Sequence, residues 1–479
     1  MTQTPETQTP EPETPEIPET QSPEAQIPGM MAGLRATFES RATRPIEWRR
    51  AQLQRLSAMI KDNEAEILAA LKADLGRSAN ESRLVETNTL QGEISHVLRH
   101  LKRWMRPQRV PTPLTNQPGR SEIMSEPLGV VLIMAPWNYP VYLVGMPLIG
   151  AIAAGNCAVL KPSEISANTS KLLARLIPSY MDAEAIRVVE GDADTANQLL
   201  QQRFDHIFFT GSAAIGRIVM EAAAKHLTPV TLELGGKSPC IVTPDCDLEV
   251  AARRVAWGKF LNAGQTCVAP DHVLAHESVA GDFVTRLKAA TKRFYGDDPK
   301  ASPDYPRIIN DRHFARVSRL IADGTVECGG DTEPASRYIA PTILTGVDPA
   351  SDVMSQEIFG PVLPVITYAN IDEAIGFVSA RPKPLALYLF CNDGETRDRV
   401  LSETSSGGAV INDVVTHLAV PELPFGGVGA SGMGACHGRA SFDTFSHAKG
   451  VLTKSERFEV KLRYAPFTAL KSRLIRLVS

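Results

Sequence analysis

The chain has no surplus of positive charge: 50 Lys and Arg stand against 54 Asp and Glu, for a formal net charge of -4. With no basic field and no Lys/Arg-rich run in its body, nothing recommends it as a nucleic-acid binder. Its seven cysteines (Cys157, Cys240, Cys246, Cys267, Cys328, Cys391 and Cys436) are scattered, odd in number and never spaced Cys-x-x-Cys. That argues against a disulfide framework or a zinc site and for a reducing compartment, the cytoplasm. A secretory signal is missing as well. Residues 1–29 contain no Lys or Arg and repeat Thr, Pro, Glu and Gln, which reads as a disordered acidic tail. Nor is there an unbroken apolar run. No charge falls between Glu126 and Lys161, but Pro136, Asn138, Pro140, Pro147 and Asn156 interrupt that stretch, whereas a membrane span needs about 20 continuous apolar residues. A buried strand, helix and strand fit it better.

At 479 residues the chain exceeds what one hydrophobic core serves, so two or three subdomains are expected. Leu53, Leu56, Ile60, Ile67, Leu68 and Leu71 lie near helical spacing between Ile46 and Leu75, and a second amphipathic region runs from Val85 to Trp104. Between these helices and the apolar block, Pro107 to Gln117 carries three prolines and cannot be a central strand or helix. From Val130 onward strand and helix alternate. Candidate strands are Val130 to Met134, Cys157 to Leu160, Ile186 to Val189, His206 to Phe209 and Val230 to Leu234. Short β-branched runs separated by helices imply a parallel α/β sheet, whose ligands bind beyond the carboxyl ends of the strands. Asn138, Lys161, Glu164 and Gly211 all follow such ends. A second alternation starts at Pro239, with Ile241 and Val242, a helix Leu248 to Phe260, and candidate strands Tyr338 to Leu344, Pro361 to Tyr368, Leu385 to Phe390 and Ala409 to Ile411.

The segment Asn262 to Cys267, just after that helix, lies downstream of Glu233-Leu234-Gly235-Gly236-Lys237. A lone cysteine is by default an inert buried side chain. Paired with a carboxylate it offers more: a thiolate adds to a carbonyl carbon, and the carboxylate activates the water that releases the acyl group. Glu233 ends an apolar strand, where desolvation raises a carboxyl pKa toward neutrality. Gly211-Ser212-Ala213-Ala214-Ile215-Gly216 differs from the usual Gly-x-Gly-x-x-Gly fingerprint, but between a strand and an apolar helix it fits a helix N-terminus facing an anion.

Seven motifs in order carry a resemblance: Pro136-Trp137-Asn138-Tyr139-Pro140, Lys161-Pro162-Ser163-Glu164, Phe209-Thr210-Gly211-Ser212 with Gly216, Glu233 to Lys237, Gly264-Gln265-Thr266-Cys267, Glu357-Ile358-Phe359-Gly360-Pro361 and Pro424-Phe425-Gly426-Gly427. Together they resemble the aldehyde dehydrogenase superfamily, and its class 3 (fatty and aromatic aldehyde) branch, from Arg35 to Lys454. The resemblance implies two Rossmann-related parallel-sheet α/β domains and a small β oligomerisation arm that makes a homodimer. On that plan residues 1–29 are a tail, 30–106 and 126–234 the cofactor-binding domain, 235–411 the catalytic domain, 107–125 and 412–450 the arm and its return, and 451–479 an amphipathic C-terminal tail.

It also implies oxidation of medium- or long-chain aliphatic or aromatic aldehydes to acids with NAD(P)+, through a thiohemiacetal and a thioester. Cys267 is then the nucleophile, its thiolate favoured by backbone N–H groups and cofactor charge. Glu233 is the base, and Asn138 with the Cys267 N–H an oxyanion hole. Cofactor contacts fall on Trp137, Lys161, Glu164, Thr210, Gly211, Ser212, Gly216, Glu357 and Phe359, and substrate contacts on Tyr139 and Phe425, with core packing the alternative for the aromatic residues. Glu164 favours a 2′-hydroxyl while Lys161 tolerates a 2′-phosphate, so NAD and NADP stay unranked. Two other readings are an acylating dehydrogenase that passes the thioester to coenzyme A, and a structural protein recruited on this fold. The tail Phe458 to Ser479 interleaves Lys and Arg with Leu and Phe. It is too charged to span a bilayer and reads either as an interfacial helix in peripheral contact with a membrane or as a helix at the tunnel mouth.

Overall fold

The computed structural model describes residues 23–459 and 461–478. The apolar runs form strands buried on both faces: every residue of Val130–Met134 and of Cys157–Lys161 is buried, as a strand covered by helices on either side requires. They lie in a six-stranded sheet ordered Gly432–Met433, Val230–Glu233, His206–Thr210, Val130–Met134, Cys157–Lys161, Ile186–Val188, parallel except for the first strand. The chain leaves Val130–Met134 toward one edge and returns to its other side at His206–Thr210. The carboxyl ends of those two strands therefore flank the switch point, where such sheets open a crevice.

A seven-stranded sheet, ordered Thr325–Cys328, Thr342–Thr345, Val362–Tyr368, His272–His276, Pro239–Val242, Ala386–Phe390, Gly408–Ile411, is parallel apart from its first strand. The helix Leu248–Phe260 packs against it and delivers the chain to Cys267. A third sheet is antiparallel: Gly119–Pro127 pairs along its whole length with Ser446–Lys454, and Gln108–Val110 adds a short edge strand. The prolines flanking Gln108–Val110 are tolerated because it is an edge.

Several expectations need correction. The acidic tail does not reach Gly29, because a helix spans Pro23–Glu39 with Ile27 and Met31 buried in the core of the first sheet. Residues 1–22 lie outside the described residues. The helical region from Ile46 to Leu75 is two helices, Ile46–Asp62 and Glu64–Leu75, broken at Asn63. The second region opens with a π-turn, Arg83–Thr87, before the helix Asn88–Trp104. The run Tyr338 to Leu344 divides into Tyr338–Ile339 and Thr342–Thr345 around Pro341, with the pieces in different sheets. A boundary at residue 450 would cut the strand Ser446–Lys454 in half. The strand His272–His276, in the middle of the second sheet, went unrecognised because its apolar centre is only three residues long between two histidines.

Candidate active site

A cavity of about 310 Å³ opens at the switch point and brings both large sheets to one place. From the first sheet come Trp137 and Asn138 after Val130–Met134, Thr210, Gly211 and Ser212 at the end of His206–Thr210, and Glu233 at the end of Val230–Glu233. From the second come Cys267, Glu357 and Phe359. Five residues expected at the site do not line the cavity. Lys161 and Glu164 lie at the end of the next strand, Cys157–Lys161, where the Lys161 ammonium is buried, donates to Pro162 O (2.9 Å) and pairs with Glu164 (3.3 Å). Gly216 lets the helix Ala213–Ala224 approach the sheet, since a Cβ there would stand 2.9 Å from Leu234 Cδ2. Tyr139 turns its hydroxyl to Thr266 Oγ1, beneath the nucleophile segment. Phe425 stacks on His437, with ring centroids 5.1 Å apart.

Cys267 follows a backbone that few sequences adopt. Asn262, Ala263 and Gly264 have φ of 52°, 50° and 73°, three left-handed residues in succession. Such a bend needs outside restraint, and side chains supply it. Asn262 N–H donates to Glu81 Oε1 (2.9 Å), and Asn262 Nδ2 donates to Asn138 O (2.9 Å) and Gln265 O (3.2 Å). Gln265 Nε2 donates to Asn262 O and Arg307 O, both at 3.0 Å, while its Oε1 accepts from Ile309 N–H at 3.0 Å. Asn138 Nδ2 donates to Gln265 O at 3.1 Å, linking the carboxamide to the nucleophile segment. Gly264 is fixed by space as well, because a Cβ there would collide with Gly360 O.

Burial, followed by the carboxyls of Glu357 and Glu233, pushes the Cys267 thiol up to about 12, against the pull of the Cys267 and Val268 N–H groups. The expected backbone donors are therefore present but do not by themselves make a thiolate. The protein alone holds a thiol, and activation requires a proton acceptor or added positive charge. Glu233 is 4% exposed, and burial raises its pKa well above the carboxylate range, countered only by the weak thiol donor of Cys436. A buried carboxyl that prefers its proton is suited to take one from water only when something arrives that favours the anion.

Glu357 lies against Gly235, where any side chain would overlap its carboxylate. Burial and then the Asp271 charge raise it to about 8, and its Oε1 has no partner. Its segment is pinned through the backbone. Arg316 donates to Glu357 O (3.1 Å) and Ile358 O (2.7 Å), Asp271 Oδ1 accepts from Ile358 N–H (2.9 Å), and Lys237, paired with Asp271, donates to Val353 O and Gln356 O. Phe359, with φ 45°, meets Trp137 edge-on at 5.5 Å. Arg316 and Asp271 escaped the sequence reading. The one signal for Asp271 is a charge at the mouth of an apolar strand.

The donor set suits a dinucleotide. Ser212 caps the helix Ala213–Ala224 at the cavity wall, leaving N-terminal N–H groups for an anion, and the unpartnered Glu357 Oε1 is an acceptor for a sugar hydroxyl. Fold and site together define a thiol enzyme of carbonyl chemistry built on a nucleotide-binding sheet. The model of the aldehyde dehydrogenase family matches residues 6–451. Aldehyde dehydrogenase family 3 member A2 of Rattus norvegicus is 52% identical over 435 residues, 90% of each chain. The rat enzyme named "Aldehyde dehydrogenase, dimeric NADP-preferring" is 52% identical over 437 residues, 91% of this chain and 96% of its own. The structure described as the substrate-bound state of Staphylococcus aureus AldH superposes with a TM-score of 0.92 at 46% identity, covering 94% of this chain and 99% of that one. The chain belongs to the aldehyde dehydrogenase family.

Proposed function

We propose that the protein oxidises medium- or long-chain aliphatic or aromatic aldehydes to carboxylic acids with NAD(P)+, Cys267 serving as nucleophile, Glu233 as hydrolytic base and Asn138 as oxyanion donor. The observation that carries this reading is the convergence of a cysteine, a carboxamide and a buried carboxyl on one cavity. Cys267 Sγ adds to the aldehyde carbon as the thiol proton passes to water, and the carbon's C–H bond then breaks with loss of hydride to leave a thioester. The Asn138 amide and the Cys267 N–H receive the developing alkoxide, a role typically worth about 3 kcal/mol per donor. NAD(P)+, when bound, supplies the hydride acceptor. Glu233 then takes a proton from the water that attacks the thioester, releasing the acid and restoring the thiol. The six-stranded layer serves the cofactor and the seven-stranded layer the nucleophile. Glu357 and Phe359 face the nicotinamide riboside, with Lys161 and Glu164 at the adenosine ribose. The name of the dimeric, NADP-preferring rat relative supports a homodimer and use of NADP as well as NAD, and the antiparallel arm is the element assigned to join the two subunits.

Among the described residues no helix is long and apolar enough to cross a membrane. The helix Ala469–Val478 leaves Leu470 69% exposed and Phe467 beside it 60% exposed, among Lys471, Arg473 and Arg476. That pattern supports a peripheral lipid contact that delivers apolar aldehydes. Mixing the protein with short and long aldehydes, NAD+ or NADP+, with and without coenzyme A, while following the reduced cofactor and the product, tests the reading. Formation of acyl-coenzyme A in place of free acid would replace Glu233-driven hydrolysis with acyl transfer. Repeating the assay with liposomes and a chain truncated before Phe458 tests the tail, which is retired if short and long aldehydes respond alike.

A further inference from the structure

We propose that Arg77 is a positioning residue that sets the Asn138 amide for the addition step without touching the aldehyde. This rests on the assignment of Asn138 as oxyanion donor. Arg77 has no exposed surface. Its Nη2 donates to the main-chain oxygen of Asn138 at 3.0 Å, meets the equally buried Glu86 at 3.0 Å, and its guanidinium lies 4.9 Å from the Tyr139 ring centre. Glu86 turns its other oxygen to the N–H groups of Val141 (2.8 Å) and Tyr142 (2.9 Å), in the first turn of the helix Pro140–Ala154. One buried ion pair thus grips the chain from Asn138 through Tyr142.

Asn138 has need of such a grip. It follows the strand Val130–Met134 and precedes Tyr139, the non-helical residue that starts the helix, so neither element fixes its peptide plane. Its carbonyl is held by two side chains, Arg77 and Asn262. Its Nδ2 spends one hydrogen on Gln265 O, which leaves the second to point at an oxyanion. A tilt of this peptide swings that second hydrogen away, and misplacement by about 1 Å costs on the order of 100-fold in rate.

The pair is poorly explained by stability alone. Arg77 Nε and Nη1 are buried without hydrogen-bond partners, and replacing a buried ion pair by apolar or neutral groups of similar size is often neutral or stabilising. A cation kept in the interior with idle donors, one residue contact away from the reacting carbonyl, is better accounted for by where it holds Asn138.

The test is the pair of substitutions Arg77→Met with Glu86→Gln, made in the parent chain and in an Asn138→Ala chain. Gln keeps an acceptor for Val141 and Tyr142, and Met fills the volume. In the parent, kcat/KM for aldehyde should fall about 10- to 100-fold, with the dissociation constant for NAD+ unchanged and Tm equal or higher. In the Asn138→Ala chain the same pair should change kcat/KM by less than about 3-fold, because residues acting through one group are non-additive. Equal losses in both chains, or losses that track a falling Tm, would make Arg77 a structural residue and overturn the inference, as would an unchanged kcat/KM in the parent. If the Met and Gln chain does not fold, Arg77→Lys decides by the same comparison of backgrounds. Asn138→Ala alone tests the underlying assignment: near-normal turnover removes Asn138 from the oxyanion hole whatever Arg77 does.

Discussion

Cys267 and Glu233, the proposed nucleophile and base, stand on one cavity but are prepared in opposite ways. The segment leading to Cys267 is strained and crossed by side-chain hydrogen bonds from Glu81, Asn138, Asn262 and Gln265. Glu233 has ordinary strand backbone, and only the weak thiol donor of Cys436 attends its buried carboxyl. Position is what the attacking atom must have, since it adds along a narrow approach. Affinity for a proton is what the base must have, and isolation provides it. A site can therefore be precise at one residue through many contacts and reactive at its neighbour through very few.

The largest effect should come from removing the restrained atom itself. Cys267→Ala should abolish aldehyde oxidation while NAD(P) affinity stays within a few-fold, as read by cofactor titration and steady-state rates; retained turnover would end the covalent mechanism. Removing the isolated group should act later in the cycle. Glu233→Gln should keep a burst of reduced cofactor equal to the enzyme present but lose about 100- to 1,000-fold in steady-state turnover, and stopped-flow traces separate the two. The parent's kcat should also rise with pH through an apparent pKa well above that of an ordinary carboxylate, because Glu233 must be ionised to act. That limb should vanish in the Gln variant, and its persistence would place the titration elsewhere.

Asn262→Ala sharpens the other side of the comparison. It removes two hydrogen bonds from the nucleophile bend and should lower kcat about 10-fold with the burst and the hydrolytic step slowed together. Slowing of hydrolysis alone would blur the distinction. Glu357, a second buried carboxyl, offers a test of isolation through stability. Its pKa of about 8 in the folded chain exceeds the value of about 4.3 expected when unfolded. Between those values the unfolded chain binds fewer protons, so stability falls as pH rises. Glu357→Gln should escape that fall, and its Tm advantage over the parent should grow from about pH 4.3 to about pH 8 and then level off. A constant difference across that range would mean the carboxyl is not isolated. The smallest effect concerns the half-exposed Glu164. Glu164→Gln should shift the ratio of kcat/KM for NADP over NAD upward by a few-fold, since repulsion of a 2′-phosphate is relieved. An unchanged ratio would mean the ribose is held elsewhere.

The same contrast explains what was legible before the structure. Strands such as Val130–Met134 and the helix Leu248–Phe260 declare themselves through local apolar pattern, and Cys267, Glu233 and Asn138 through short motifs. The restraints on them do not. Arg77 and Glu86 lie in a short polar stretch with a π-turn, and Glu81 is 181 residues from the N–H it accepts. No periodicity links such partners, because their pairing exists only once two sheets have met. The strand His272–His276 was missed for a related reason: its polar first residue, His272, becomes interior only in the middle of a seven-stranded sheet. The helix at Pro23–Glu39 was hidden because its first turns continue the Thr, Pro, Glu and Gln composition of the residues before it, while the burial of Ile27 is a tertiary fact.

The short strand Gly432–Met433 closes the sheet beside the base, Gly432 pairing with Glu233 and Ser431 O accepting from Leu234 N–H at 3.1 Å. On a ribosome this strand emerges about two hundred residues after the one it covers, as the numbering of the pair implies. Until then the edge of Val230–Glu233 is open, and open edges invite pairing with other chains. The carboxyl can acquire its buried surroundings only after that covering strand has been made. Closing that edge and burying the Glu233 carboxyl are thus one late event, completed by the same two-residue strand.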